Sequence, residues 1–89
     1  IISVTLNKQT KEILSGPEIL ARGFIYVKDS YELIKEIKNI SEDIILENTK
    51  DIKYVEYNKI KNTIRDELSK YLIEQTGNKP MIITVIQEI

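Results

Sequence analysis

Histidine and cysteine are both absent from this 89-residue chain, and the two absences exclude much of the chemistry a small domain can carry. A nucleophilic triad needs an imidazole base, and the zinc sites of nucleases and proteases lean on histidine. Without cysteine there is no disulfide, which fits a reducing cytoplasm. Neither sign of charge is in excess: 13 Lys and Arg stand against 14 Asp and Glu, for a net charge of -1. The strongly basic field of an autonomous nucleic-acid binder is therefore missing. Apolar runs last only a few residues, far short of the roughly 20 that cross a bilayer, and no export segment opens the chain. No repeat, low-complexity tract or internal linker is visible. The chain is expected to form one domain over residues 1–89, cut at Ile1 from a longer polypeptide.

The remaining catalytic options are weak. Asp66-Glu67 and Glu42-Asp43 are neighbours in sequence, and adjacent residues on a helix diverge by about 100° and do not face a common ion. Ser69-Lys70 fails as a nucleophile and base pair for the same reason. Gly16 and Gly23 lack the Gly-Lys-Ser/Thr ending of a phosphate loop and read as turn and bulge residues.

Local patterns define the elements. Ile2, Val4 and Leu6 alternate with Ser3, Thr5 and Asn7, the period of a strand with one buried face. The polar cluster from Asn7 to Thr10 leads into a second run at Glu12 to Leu14, which Ser15-Gly16-Pro17 is expected to end. Phe24 to Val27 reads as a third strand with Gly23 at its entry. A capping-box-like Asp29-Ser30-Tyr31-Glu32 starts a first helix, whose stripe Leu33, Ile37, Ile40 and Ile44 carries it to about Glu47. Tyr57, Ile60, Ile64, Leu68 and Tyr71 mark a second helix from about Val55 to Thr76, stopped by Gly77 and Pro80. Met81 to Val85 is almost wholly apolar and reads as a last strand wanting cover on both faces.

These elements predict a two-layer α+β fold: a small mixed sheet of three to four strands with two helices on one face, in the order β-β-β-α-α-β. The last strand is expected at the centre of the sheet, or with one face against another subunit. Ile82 and Ile86 are assigned to the uncovered face as candidate interface residues. Charge is unevenly spread: residues 1–28 hold four Lys and Arg against two Glu, and residues 29–53 hold four Lys against seven Asp and Glu. Arg22, Lys28 and Lys8 are the candidates for RNA contact, with Lys11 and Arg65 behind them and Phe24 or Tyr26 as stacking platforms. The simpler reading puts both aromatics in the core.

Two blocks carry more than a pattern. Pro17-Glu18-Ile19-Leu20-Ala21-Arg22-Gly23-Phe24-Ile25-Tyr26-Val27 and Ile64-Arg65-Asp66-Glu67-Leu68-Ser69-Lys70-Tyr71-Leu72, followed by Lys79-Pro80-Met81-Ile82-Ile83-Thr84-Val85-Ile86, occur in the order found in the C-terminal domain of bacterial ribonuclease J. The chain resembles that domain over nearly its whole length, most specifically in these blocks. Thr84 and Gly77-Asn78 depart from the family pattern, where Pro and a basic pair are usual. The resemblance implies a parent enzyme with a metallo-β-lactamase core and a β-CASP insert. That parent would be a zinc-dependent 5′-to-3′ exoribonuclease and endoribonuclease acting in cytoplasmic RNA processing and mRNA decay. It further implies that the C-terminal domain supplies no metal ligand or catalytic group, holds no cofactor of its own, and supports a homo- or hetero-oligomer through the sheet. A module that holds RNA for the parent enzyme, and a free-standing regulatory domain, are the rival readings.

Overall fold

The computed structural model describes residues 1–19, 27–77 and 81–89, with the backbone alone for 27–30. Five elements follow in the order β1 (Ile2–Leu6), β2 (Ile13–Ile19), α1 (Val27–Thr49), α2 (Tyr57–Thr76) and β3 (Thr84–Glu88). The strand expected at Phe24 lies outside the described residues apart from Val27, which opens α1 two residues ahead of the expected Asp29.

The three strands form one mixed sheet in the order β2-β1-β3. β1 pairs antiparallel with β2 and parallel with β3. The centre is therefore β1, not the last strand. The long apolar run that suggested a central β3 has another cause: one face of β3 meets the core and the other is left apolar. The parallel pairing needs a crossover, and the two helices supply it.

The β1–β2 turn is built by Asn7, whose side-chain Oδ1 accepts from the backbone N–H groups of Gln9 and Thr10 at 2.8 and 2.9 Å. This local bond is the usual reason Asn sits at a turn. The expectation that Ser15-Gly16-Pro17 ends the second strand is corrected, because β2 runs through all three. The register against β1 shifts between Ser3 and Thr5. At such a bulge on an outer strand, the missing N–H of Pro17 costs no ladder bond. Gly16 takes φ 87° there, and a Cβ on it would lie 2.6 Å from the carbonyl oxygen of Ser3.

Both helices cover one face of the sheet. Ile2, Val4 and Leu6 of β1 join Ile37, Ile44 and Ile45 of α1 and Ile60, Ile64, Leu68 and Leu72 of α2 in a single buried cluster. Fully burying a side chain of this size contributes about 1.5–3 kcal/mol, so the cluster is the main source of stability. The α2 stripe predicted from spacing is present, with Leu72 as an added member and Tyr57 and Tyr71 at its half-buried margins. α2 starts after an extended Glu56 that makes no side-chain cap and ends at Gly77, φ 76°, whose N–H bonds the carbonyl of Ile73 at 2.9 Å. A left-handed glycine is the standard stop for a helix.

Candidate functional site

The parallel register between β1 and β3 settles which way each β3 side chain points. Ile2, Val4 and Leu6 lie beside Thr84, Ile86 and Glu88, so the even positions of β3 share the helix-covered face. Ile82 and Ile86 are half-buried and pack against the core cluster. The expectation that they look away from the helices is thus corrected: a strand apolar on both faces gives no parity by itself, and only the pairing with β1 fixes it.

The opposite face carries Ile83 and Val85, 47% and 46% exposed, with Ile89 beyond the strand end at 67% and Met81 ahead of it at 86%. Beside them, on the same face, lie Ser3 and Thr5 of β1, and Ser15 and Glu18 of β2 pair with those two positions. The result is an apolar ridge along β3 flanked by small hydroxyl residues and one acid. Nothing among the described residues packs over this face.

One end of the sheet is closed by a polar cluster. Lys11 Nζ lies 2.8 Å from Glu88 Oε1, and the Tyr57 hydroxyl donates to the same oxygen. The ammonium also sits 5.7 Å from the centroid of the Tyr57 ring. Together they tie the β1–β2 turn, the end of β3 and the first turn of α2. Lys11 is therefore occupied structurally, and Arg65 is paired with its neighbour Asp66 at 3.2 Å. Lys8 is exposed in the β1–β2 turn, where its backbone N–H bonds the carbonyl of Ile89 at 2.8 Å. Lys28 stands in the first turn of α1 with its side chain outside the described residues, and Arg22, Phe24 and Tyr26 lie outside them altogether. Lys8 is thus the one member of the Arg22, Lys28 and Lys8 set whose side chain can be placed.

Between the helices, the Tyr71 hydroxyl is pushed above its ordinary value by burial first, and then by the carboxylates of Glu36 and Glu32. Among the described residues, no three His, Cys, Asp or Glu side chains converge as metal ligands. The described residues therefore offer no set of ligands that fits a zinc centre. No helix among the described residues is long and apolar enough to cross a membrane.

Comparison with known proteins supplies the family. The model of the ribonuclease J C-terminal domain matches residues 1–89. The chain belongs to the ribonuclease J C-terminal domain family. It is similar to ribonuclease J2 of Bacillus subtilis (strain 168), 43% identical over 89 residues. Ribonuclease J 2 of Staphylococcus epidermidis (strain ATCC 12228 / FDA PCI 1200) is 45% identical and that of Staphylococcus aureus (strain NCTC 8325 / PS 47) 42% identical over the same length. Each match takes in 100% of this chain and 16% of the relative, so the ribonuclease J domain spans about one-sixth of the curated proteins it matches.

Proposed function

We propose that this chain is the assembly and support domain of a longer ribonuclease J-type protein, a zinc-dependent nuclease that shortens RNA from its 5′ end and also cuts internally. The zinc, the reacting groups and the RNA channel belong to the remainder of that protein, which acts in cytoplasmic RNA processing and decay. The supporting observation is the outer sheet face, where Ile83 and Val85 sit exposed beside Met81 and Ile89 on a sheet whose other face is already covered. Contiguous apolar surface of this kind has reason to seek another protein surface, here another subunit or the rest of the same protein. Ile82 and Ile86 serve the contact from beneath, by holding β3 against the core. The exposure of Lys8 supports a secondary role in touching RNA phosphates together with Arg22 and Lys28, and salt-dependent loss of that binding would be its signature.

The test is made on the full reading frame that encodes this domain, which this reading requires to carry a His-x-His-x-Asp-His motif upstream. Val85→Lys combined with Ile83→Lys is expected to shrink the assembly seen by analytical ultracentrifugation and to lower exonuclease activity, while the melting of the domain is retained. An unchanged assembly and activity would sink the sheet-face reading.

A further inference from the structure

A second site lies away from the sheet, at the connection between the helices. After Thr49 closes α1, the chain turns through Asp51, which takes a φ of 58°, and carries Ile52 and Tyr54 off the core: they are 41% and 78% exposed. Together with Asn48, Glu56 and Lys59 they line an open cavity of about 150 Å³. That is well below the roughly 300–1,000 Å³ of a pocket for a drug-sized ligand, and it leaves room for a single flat ring system.

The walls suit one kind of ring. Tyr54 offers an aromatic face, and Lys53 Nζ sits 5.5 Å from its centroid. Tyr31 is nearly as exposed, at 73%, but its sequence neighbour is Glu32, whereas Tyr54 is set among Lys50, Lys53 and Lys59. These lysines are exposed and none is in an ion pair among the described residues, so their charge is open to a phosphate chain. Glu56 makes no side-chain cap to its own helix, which leaves its carboxylate free to accept. Asn48 Nδ2 donates to the carbonyl of Ile44 at 2.7 Å, leaving Oδ1 as a second acceptor. Lys59, three residues beyond Glu56 and on the same side of the helix start, is the donor. Acceptors beside one cationic donor complement the Watson–Crick edge of guanine, which presents its N1–H and N2–H donors next to the O6 acceptor. Adenine, cytosine and uracil each present only one donor group there.

We propose that Tyr54 and the cavity beside it hold one unpaired guanine base of an RNA strand, stacked on the ring and read by Glu56 and Lys59, with Lys50 and Lys53 on the flanking phosphates. Sequence-selective binding of single strands works in this way, by stacking a splayed base on an aromatic side chain and hydrogen-bonding its Watson–Crick edge. The inference rests on the reading of this domain as part of a ribonuclease, and adds to it a base-selective site apart from Lys8, Arg22 and Lys28. With one base held, affinity is weak, and the preference among bases is what marks the site.

The experiment is fluorescence anisotropy of labelled oligouridine carrying one central guanosine, inosine or adenosine, titrated at low salt with the 89-residue chain. A thermal melt of each variant confirms the fold. Guanosine is expected to bind about tenfold more tightly than adenosine, with inosine, which lacks the N2–H donor, in between. Tyr54→Ala should weaken guanosine binding by about tenfold or more, and Tyr54→Phe should keep it, because the ring does the stacking. Glu56→Gln separates base reading from phosphate attraction. Removing a negative charge strengthens mere attraction for every RNA, whereas loss of the carboxylate should abolish the preference for guanosine. No binding, or equal binding of all the RNAs by the parent chain, overturns the inference, as does a Glu56→Gln chain that binds each of them more tightly with the preference intact. Guanosine monophosphate that competes as well as the whole strand also overturns it, since the ligand is then a free nucleotide. Binding lost in Lys8→Ala but indifferent to Tyr54→Ala overturns it too, and leaves the Lys8 reading standing. The assembly test at Ile83 and Val85 is read independently, because neither lines this cavity.

Discussion

Lys11 and Glu88 stand 77 positions apart in sequence, yet Nζ and Oε1 meet at 2.8 Å. The pair closes the sheet from both ends of the chain, because Lys11 follows the β1–β2 turn and Glu88 ends β3. Each side chain is about one-quarter exposed, 24% and 28%, so solvent screens part of the attraction. The coupling measured by a double-mutant cycle with Lys11→Met and Glu88→Gln is expected at about 1 kcal/mol, above the median for surface pairs. Glu88→Ala should cost more, about 2 kcal/mol, because it also strands the Tyr57 hydroxyl. Urea melts at low and high salt measure both. A coupling of zero would reduce the pair to a surface contact without energetic weight.

Gly16 is the position least able to change. Its φ of 87° disfavours any side chain, and an added Cβ would sit 2.6 Å from the Ser3 carbonyl oxygen, a backbone atom that cannot step aside. Gly16→Ala is expected to destabilise the domain by at least about 2 kcal/mol, combining the left-handed penalty with the clash. A melting temperature within a degree of the parent chain would show that β2 re-registers at no cost.

That bulge also marks where the sequence stopped being legible. Alternation in β1 and the stripe of α2 were readable because each has one clear buried face. Ser15-Gly16-Pro17 read as a stop because glycine and proline break regular strands, and nothing local says that a register shift opposite Ser3 and Thr5 absorbs them. The β3 run from Met81 to Val85 was apolar at every position but Thr84, so its parity had to come from the pairing with β1. The sequence reading put Ile82 and Ile86 on the free face, and only the pairing with β1 and the packing of Ile86 against the core assign that face to Ile83 and Val85 instead. The Lys11–Glu88 pair was invisible, since no local rule links a turn to a strand at the far end of the chain.

Ser41 is fully buried on α1, and its hydroxyl oxygen has no hydrogen-bond partner among the described residues. The desolvation of that hydroxyl is uncompensated, and alanine is the better helix former at the same site. Ser41→Ala is therefore expected to raise stability by about 1 kcal/mol, in contrast to most core substitutions. Guanidinium unfolding compares the two proteins. A loss of stability would mean that the hydroxyl contributes packing that outweighs its desolvation.

Tyr71 gives the domain a high-pH weakness with a definite sign. Burial, then Glu36, then Glu32, raise its hydroxyl above the ordinary value of 10.0 in the folded chain. The unfolded chain keeps the ordinary value and releases the proton first. Between the two values the unfolded state therefore binds fewer protons, and stability falls as pH rises. Below about pH 10 the side chain is neutral in both states and contributes no pH dependence. Plotted against pH, the stability difference between the parent chain and Tyr71→Phe should be flat up to that point and decline above it. Glu36→Gln should soften the decline without abolishing it, because burial is the larger cause and remains. A difference that stayed flat to the highest pH the fold survives would mean that Tyr71 meets solvent freely between the helices, and that α1 and α2 part there more readily than their packing indicates.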